Sequence, residues 1–247
     1  TAKTISASAY QYLWTQRATI LRSLWVSVEV TVLGTIIGVM LTSLMGYVLS
    51  RREYKLHGFL TILIFIPMIF GGGLAASYVV NTRILKLTDT IWALIVPNLL
   101  LSPFNVILVR NYFRTNIPDS IVEAAKLDGA SDLQTLTRVV LPISSPILGT
   151  IGLLSGLAYW NNWTNGLYYL VKRTDLYSIQ NVLTNMLNNI QFLKTSAMDG
   201  INLDLSQLPS VGIRMAIAVI ALIPVMIAYP LIQKSFVKGI VVGGVKG

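Results

Sequence analysis

The sequence has little charge and lacks the residues on which most soluble enzymes depend. Only 12% of its 247 residues are charged, whereas an average soluble domain carries about 25%. It has no cysteine and one histidine, His57, which excludes disulfides, thiolate metal sites, cysteine nucleophiles and histidine clusters. No G-x-x-x-x-G-K-[ST] phosphate loop occurs either, so ATP binding by that motif is not expected. Most soluble enzyme chemistry is thereby excluded.

Apolar residues are abundant instead, and they gather in long blocks. Hydrophobic residues make up 54% of the chain and the mean hydropathy is +0.66. A helix needs about 20 apolar residues to cross the hydrocarbon core of a membrane. Five blocks of that length predict an all-α, polytopic transmembrane helix bundle, with spans at about 24–49, 58–80, 91–109, 143–160 and 211–233.

The net charge of +9 belongs to the loops between these blocks, which favours a membrane protein over a nucleic-acid-binding one. Counting basic residues on the two predicted sides gives ten against nine, so the count alone does not orient the chain. The basic residues are densest in the short loop 51–57 and in the tail after residue 233. This density favours a cytoplasmic position for both, and hence a cytoplasmic C-terminus.

The N-terminus fits a chain that follows an earlier membrane span. The sequence begins at Thr1 without a methionine, and no apolar signal segment precedes the first block. Five spans with a cytoplasmic C-terminus leave the N-terminus outside. We therefore expect a preceding first span to be missing and the stretch 1–23 to be extracytoplasmic.

The polar loop 116–146 between the third and fourth blocks has the pattern of a short helix that ends at a glycine. Pro118 suits a first helical turn, and Ser120 with Glu123 three residues later has the spacing of a capping box. Gly129 is expected to end this helix in a left-handed conformation.

A second short helix is predicted in the same loop. Ser131 or Asp132 can cap its beginning, and Pro142 is expected to stop it. The sequence therefore predicts a compact helix–turn–helix on the membrane surface. Four of the ten acidic residues fall in this loop: Asp119, Glu123, Asp128 and Asp132.

The same loop carries a family resemblance. It reads Glu123-Ala124-Ala125, three residues, Gly129, nine residues, then Val139-x-Leu141-Pro142. This pattern resembles the twenty-residue EAA loop of the membrane subunits of binding-protein-dependent ABC importers. The resemblance implies the type I permease fold of these importers, with the loop as a cytoplasmic coupling helix. Val139, where the family most often has isoleucine, is a conservative departure.

Other segments resemble the carbohydrate branch of these importers, of the maltose-permease type. They are Asp128-Gly129-Ala130, Trp92 to Pro97, Pro103-Phe104-Asn105, Tyr159-Trp160-Asn161, Phe236 to Gly239 and Gly244 to Gly247. The implied function is the permease subunit of an ATP-driven importer that moves a sugar or oligosaccharide into the cytoplasm by alternating access. The alternative is the same importer class carrying an amino acid, peptide or oxyanion. A channel or intramembrane enzyme is disfavoured, because no predicted span has the polar constellation such chemistry needs.

The resemblance also implies partners. These are a second permease subunit forming a heterodimer, an ATP-binding cassette ATPase dimer, an extracytoplasmic solute-binding protein and the bilayer of a bacterial cytoplasmic membrane, with no nucleic acid. This chain would be no enzyme and would hold no cofactor or metal, because ATP and magnesium belong to the ATPase. The outer segment 161–210 is expected to offer a surface to the binding protein, with a plain loop as the alternative.

The residues expected to couple to the ATPase are Glu123, Ala124, Ala125, Asp128, Gly129, Ala130, Leu141 and Pro142. Small residues would let the helix enter a groove on the partner, where Glu123 would meet a basic group. A plain capping role for Glu123, and a plain helix-ending role for Gly129, remain open alternatives.

Four residues are candidates for the substrate path: Glu29, Trp160, Asn161 and Trp163. An acid within a span is costly and suggests function, although Glu29 could also reach outward or pair with Arg22. The tryptophans could stack on sugar rings, or form the ordinary aromatic belt at the membrane interface. Gly71-Gly72-Gly73 could break the second span or allow close helix packing; of the two, packing is the expectation.

Overall fold

The computed structural model describes residues 17–51, 53–97 and 99–198 and three isolated positions at 219, 222 and 226. All regular structure in these ranges is helical. The α-helices are α1 (Arg17–Ser50), α2 (His57–Ile69), α3 (Gly73–Val79), α4 (Trp92–Ile95), α5 (Pro103–Asn116), α6 (Asp119–Leu127), α7 (Asp132–Thr135), α8 (Leu141–Ile143), α9 (Ser145–Asn161), α10 (Thr164–Tyr169) and α11 (Ile179–Met198). Single π-helical turns follow α3 and α7 at Val80–Ile84 and Leu136–Val140, and a 3₁₀ turn lies at Thr174–Leu176.

Helix α1 is the long central element. Its 34 residues contain the first predicted block and span about 50 Å at 1.5 Å per residue. Within the described ranges it is the one unbroken helix that is long and apolar enough to cross a membrane. One side of it faces outward with large apolar side chains, and the opposite side is buried in the bundle.

The buried side of α1 packs against α5 and α9 through glycines. A Cβ atom at Gly34 would lie 2.5 Å from Cζ of Tyr159, and one at Gly46 would lie 2.6 Å from Cγ1 of Val109. The Tyr159 hydroxyl donates to the Ile95 carbonyl at 3.0 Å. The glycines therefore permit a close helix approach, as is usual between helices in membranes.

The second predicted block is broken in the middle. Helix α2 ends at Ile69 and α3 begins at Gly73, whose φ is +73°. A Cβ atom at Gly71 or Gly73 would meet no atom within 4 Å. These glycines therefore break the helix, and the close packing expected of them is not found among residues 17–51, 53–97 and 99–198.

The third predicted block is also discontinuous. Helix α4 ends at Ile95, and α5 begins at Pro103 and continues to Asn116, seven residues past the predicted end at 109. Prolines explain the boundaries: Pro97 cannot continue a helical ladder, and Pro103 suits a first turn.

The fourth predicted block corresponds to α9, and the segment 132–143 meets α9 at an angle of 86°. The fifth, 211–233, lies outside the described residues apart from helical positions at 219, 222 and 226. The number of membrane spans therefore stays a prediction. Residues 17–23 of the predicted extracytoplasmic stretch belong to α1, and residues 1–16 lie outside the description.

The outer segment begins with two short helical elements and the longer helix α11, whereas 199–210 are not described. Asp89 fixes its first loop, because one carboxylate oxygen accepts the backbone N–H groups of Val171, Lys172 and Arg173 at 2.8, 2.8 and 3.0 Å. These hydrogen bonds, that of Arg173 first, lower the pKa of Asp89.

Candidate functional site

Helix α6 is the centre of the candidate coupling site. It begins at Asp119, directly after Pro118, with an acid in its first turn and Lys126 in its last; both charges complement the helix dipole. The expected capping box of Ser120 and Glu123 is wrong, because no side chain caps this helix. Pro118 already fixes the boundary, which places Ser120 inside the first turn.

Gly129 ends the helix as predicted, with a φ of +81°. Its N–H donates to the Lys126 carbonyl, and the N–H of Ala130 donates to the Ala125 carbonyl, both at 3.0 Å. These two bonds form a Schellman motif. A Cβ atom at Gly129 would meet open space, so the backbone conformation alone requires glycine.

The second helical segment begins with the capping box that the chain does form. The N–H of Ser131 donates to Oε1 of Gln134 at 2.9 Å, and the N–H of Gln134 donates to Oγ of Ser131 at 3.3 Å. The segment runs through the π-helical turn to Ile143, one residue past the predicted stop at Pro142. It then bends sharply into α9.

The predicted coupling residues lie together on this helix–turn–helix. Glu123, Ala124, Asp128, Gly129 and Pro142 are exposed, whereas Ala125, Ala130 and Leu141 are half-buried. Val122 holds the helix to the bundle, because it is buried in one apolar cluster with Phe113, Ile117 and Leu136. The coupling residues therefore stand on an anchored element with a free outer face.

Two leucines on this element were not among the predicted coupling residues. Leu127 is 89% exposed and Leu133 is 61% exposed, one on each side of the Gly129 turn. Both side chains are therefore accessible at the surface of the helix–turn–helix. The sequence signal that could have identified these two leucines is a large apolar side chain at a loop position that no helical periodicity of apolar residues explains.

Ion pairs join the inner side of α6 to the segment that follows α1. Arg51 pairs with Asp119, and Lys126 pairs with Glu53 at 2.8 Å and with Asp132 at 3.5 Å. A cavity of about 370 Å³ opens beside these pairs. It is lined by Ser50, Arg51, Glu53, Arg114, Asp119, Val122, Glu123 and Lys126.

The same contacts shift two pKa values. The hydrogen bond to Glu53 raises the pKa of Lys126, so this amine stays charged. Burial, together with a hydrogen bond to Asp132, raises the pKa of Tyr54, so the phenol stays neutral. The ion pairs of Lys126 and the neutral state of Tyr54 therefore persist around neutral pH.

Glu29 lies on α1 away from these pairs. It is half-buried and shares the outward face of the helix with Trp25, Val32 and Ile36, which are exposed. It has no ion-pair or hydrogen-bond partner among the described residues. The alternative of a pair between Glu29 and Arg22 is not found, because Arg22 pairs with Asp175 at 2.7 Å.

The structure separates the aromatic candidates at the end of α9. Trp160 is 6% exposed, whereas Asn161 and Trp163 are exposed. Neighbouring Asn165 is committed to the fold, since its Nδ2 donates to the carbonyls of Leu94 and Pro97 at 3.3 and 3.1 Å. Asn161 and Trp163 are thus open to a ligand, and Trp160 is enclosed by the chain.

A helical bundle with an anchored helix–turn–helix at its surface agrees with the class of membrane permease subunits. The comparison with known families agrees with this class. Residues 34–242 match the family described as binding-protein-dependent transport system inner membrane component. The chain belongs to this family and is a transport subunit of the inner membrane.

Individual relatives cover nearly the whole chain. The polygalacturonan/rhamnogalacturonan transport system permease protein YtcP of Bacillus subtilis is 39% identical over 99% of this chain and 83% of the relative. Protein LplC of the same organism is 35% identical over 99% of this chain and 80% of the relative.

The fold is also that of a solved importer. A chain in the crystal structure of a bacterial ABC transporter involved in the import of the acidic polysaccharide alginate superposes with a TM-score of 0.78 and 28% identity. The match covers 93% of this chain and 79% of that one. The predicted all-α ABC importer permease fold is therefore confirmed.

Proposed function

We propose that this chain forms the membrane path for a sugar or oligosaccharide that an extracytoplasmic binding protein delivers. The solute enters the cytoplasm by alternating access, and an ATPase dimer supplies the energy by hydrolysing ATP with its magnesium. A second permease subunit completes the path as a heterodimer. The loop 116–146 and the C-terminus face the cytoplasm.

The carbohydrate assignment is supported by the printed functions of the relatives. A third relative, the arabinooligosaccharides transport system permease protein AraQ of Halalkalibacterium halodurans, is 27% identical over 91% of this chain and 72% of the relative. Relatives for pectic and arabinose-containing oligosaccharides favour a sugar over the alternative of an amino acid, peptide or oxyanion.

The coupling role rests on one observation: two exposed leucines flank a rigid turn on an anchored helix. In this proposal Leu127 and Leu133 enter an apolar groove of the ATPase, and Glu123 meets a cation at its edge. Ala124 and Ala125 let the helix approach closely. Closure of the ATPase dimer then moves this helix and the spans attached to it.

The test is Leu127→Asp and Leu133→Asp in the full importer, with Thr137→Asp as a control for added charge at an exposed site of the same loop. Burial of a leucine contributes about 1.5–3 kcal/mol, so ATPase affinity should fall about tenfold or more. Co-purification of the ATPase and its stimulation by loaded binding protein are measured. Unchanged association in both leucine variants would contradict the proposed docking.

Glu29, Asn161 and Trp163 are proposed to contact the solute directly, with Trp160 holding this region from inside. The proposal is supported for Glu29 by its position on an outward apolar face, where an unpartnered acid costs at least about 2.5 kcal/mol. Sugar uptake is measured for Glu29→Gln, Asn161→Ala, Trp163→Ala and Trp160→Ala. Normal affinity and rate in all four would assign solute contact to the other permease subunit.

A further inference from the structure

We propose that the segment after α1 clamps α6 at two points, so that α1 moves with the coupling helix as one body. Arg51 and Glu53 are the positioning residues of this clamp. The inference rests on the proposed coupling role of α6. It goes further in naming α1, which is remote in sequence, as the first span to receive the motion.

The first point of the clamp is Arg51, which follows the last residue of α1. Arg51 is only 7% exposed, pairs with Asp119 at the beginning of α6, and lies over the Tyr47 ring at 5.8 Å. Its Nε and Nη2 have no hydrogen-bond partner among the described residues. A buried cation with one carboxylate partner holds that partner firmly, because separation leaves the charge uncompensated.

The second point lies two helical turns further along α6. Lys126 is about 10 Å from Asp119 along the helix axis, and it donates to Glu53 at 2.8 Å. Residues seven apart share one face of a helix. Contacts at both ends of this face restrict the tilt and rotation of α6 as well as its distance from α1.

The opposite face of α6 stays free. Ile121, Ala124 and Asp128 follow one another at helical spacing on that side and are exposed. Buried Val122 lies toward the clamped side. A partner can thus occupy this face while the chain itself holds the other, and Glu123, which lines the cavity beside the ion pairs, lies on the held side, at the edge of the partner's contact.

The end of α1 is itself fixed to the bundle. Nε of Arg110 on α5 donates to the Leu49 carbonyl at 3.2 Å. Gly46 packs directly against Val109 of α5, with no room for a Cβ atom between them. A displacement of α6 would therefore reach the packed body of α1 through the clamp. Without the clamp, α6 would transmit motion through the apolar cluster around Val122 and through the peptide links to α5 and to the segment that precedes α9.

The first test joins the two elements covalently. Because the chain has no cysteine, Glu53→Cys/Lys126→Cys provides a unique thiol pair for a short, reducible bis-methanethiosulfonate linker. The two cysteines remove the Glu53–Lys126 pair, so solute transported per ATP should be low in the reduced double variant, rise when the linker joins the two positions and fall again on reduction. Inhibition of transport on linking that reduction reverses, while the linker has no effect on either single cysteine variant, would show that α1 and α6 separate during the cycle and would overturn the proposal.

The second test removes one contact. Asp119→Asn changes a side chain that is 81% exposed, so folding should stay intact. Arg51→Gln removes the other partner of the same pair, and Lys55→Gln in the same loop is its control. Solute transported per ATP in proteoliposomes should fall about fivefold in the first two variants, the low end of coupling between sites, while Lys55→Gln stays normal. Normal coupling in Asp119→Asn would overturn the clamp.

Retention of the ATPase separates this inference from the proposed function. If the clamp is correct, the ATPase should co-purify with Asp119→Asn in the normal amount although coupling falls. Loss of the ATPase from Asp119→Asn would assign Asp119 to docking and would overturn its role as a positioning contact. Failure of the leucine variants to affect docking would instead refute the proposed function.

Discussion

Helix α1 carries an ion pair at each end, and the two pairs differ in burial. At the coupling end the arginine is the sheltered partner, with the Arg51 side chain 8% and the Asp119 side chain 81% exposed. At the far end the carboxylate is the more sheltered one, with the Arg22 side chain 59% and the Asp175 side chain 29% exposed. Loss of the partner leaves the buried Arg51 charge uncompensated, whereas water can solvate Arg22, and pairs of exposed charges contribute about 0–1 kcal/mol.

The far end has other means of attachment. Oγ of Ser27 accepts the N–H of Ile179 at 2.8 Å between buried groups, and Asp89 binds three backbone N–H groups of the adjoining loop. Hydrogen bonds to backbone N–H groups thus hold the outer segment in addition to its ion pair, whereas ion pairs and the apolar cluster around Val122 hold α6. The following predictions test this difference, beginning with the body of α1 on which both ends depend.

The largest effect is expected from Gly34→Ala. The new Cβ atom would lie 2.5 Å from the Tyr159 ring, and Tyr159 is fixed by its bond to Ile95. Overpacking of this kind costs about 1–3 kcal/mol, which would lower the thermal unfolding midpoint in detergent and loosen both ends. Gly152→Ala in α9 is the control, because its Cβ atom would meet nothing within 4 Å and alanine favours a helix by about 1 kcal/mol. Equal midpoints for the two variants would refute the close approach.

The next largest effect is expected from Arg51→Gln, and its loss of stability is compared with that of Arg22→Gln. Hydrogen bonds to charged groups contribute about 1.5–3 kcal/mol where they are sheltered, so Arg51→Gln should destabilise the protein by roughly that amount. Arg22→Gln should cost about 0–1 kcal/mol. Denaturant unfolding in detergent measures both. If Arg22→Gln proves the more damaging change, the contrast between the two ends is reversed.

A smaller effect is expected from Ser27→Ala, which removes the acceptor for the Ile179 N–H. The net loss should be about 1 kcal/mol, with faster hydrogen exchange at Ile179. Ser43→Ala is the matched control, because its hydroxyl donates within α1, to the Val39 carbonyl at 2.7 Å. If the Ile179 N–H exchanges as slowly in Ser27→Ala as in the control, this hydrogen bond does not help to attach the outer segment.

The smallest effect concerns pH and Asp89. Since folding lowers the pKa of Asp89, its contribution to stability is full above the unfolded pKa of about 3.9. That contribution is lost as the pH falls through the lower folded value. Asp89→Asn should therefore show a shallower loss of thermal stability on acidification below about pH 4. The same acid sensitivity in the variant and the parent would show that other carboxylates, such as Asp175, control it.

Much of the coupling site could be predicted because its determinants are local in the chain. Gly129 must end a helix where φ is positive, and a proline such as Pro118 defines a boundary wherever it occurs. The capping box illustrates the limit, since Ser120 with Glu123 and Ser131 with Gln134 both have the required spacing. Only the backbone geometry selected the second.

The broken helices and the ion pairs were less predictable. Apolar length does not distinguish a continuous helix from one that breaks at residues 70–72. Arg51 and Asp119 are 68 positions apart, and no periodic pattern relates residues at that distance. The exposure of the substrate-path candidates was also not predictable from the sequence, since the burial of Trp160 and the exposure of Trp163 depend on how α9 and α10 pack.

The sequence by itself determined that this is a helical membrane permease and where its candidate coupling loop, 116–146, lies. Hydrophobic length, glycine conformation and a twenty-residue motif act along the chain and can be recognised there. Only the tertiary structure decided which acid Arg51 meets, that Arg22 pairs with Asp175 instead of Glu29, and which leucines remain exposed. The physical reason is that ion pairs and exposure depend on which elements pack together, and packing is a property of the folded chain.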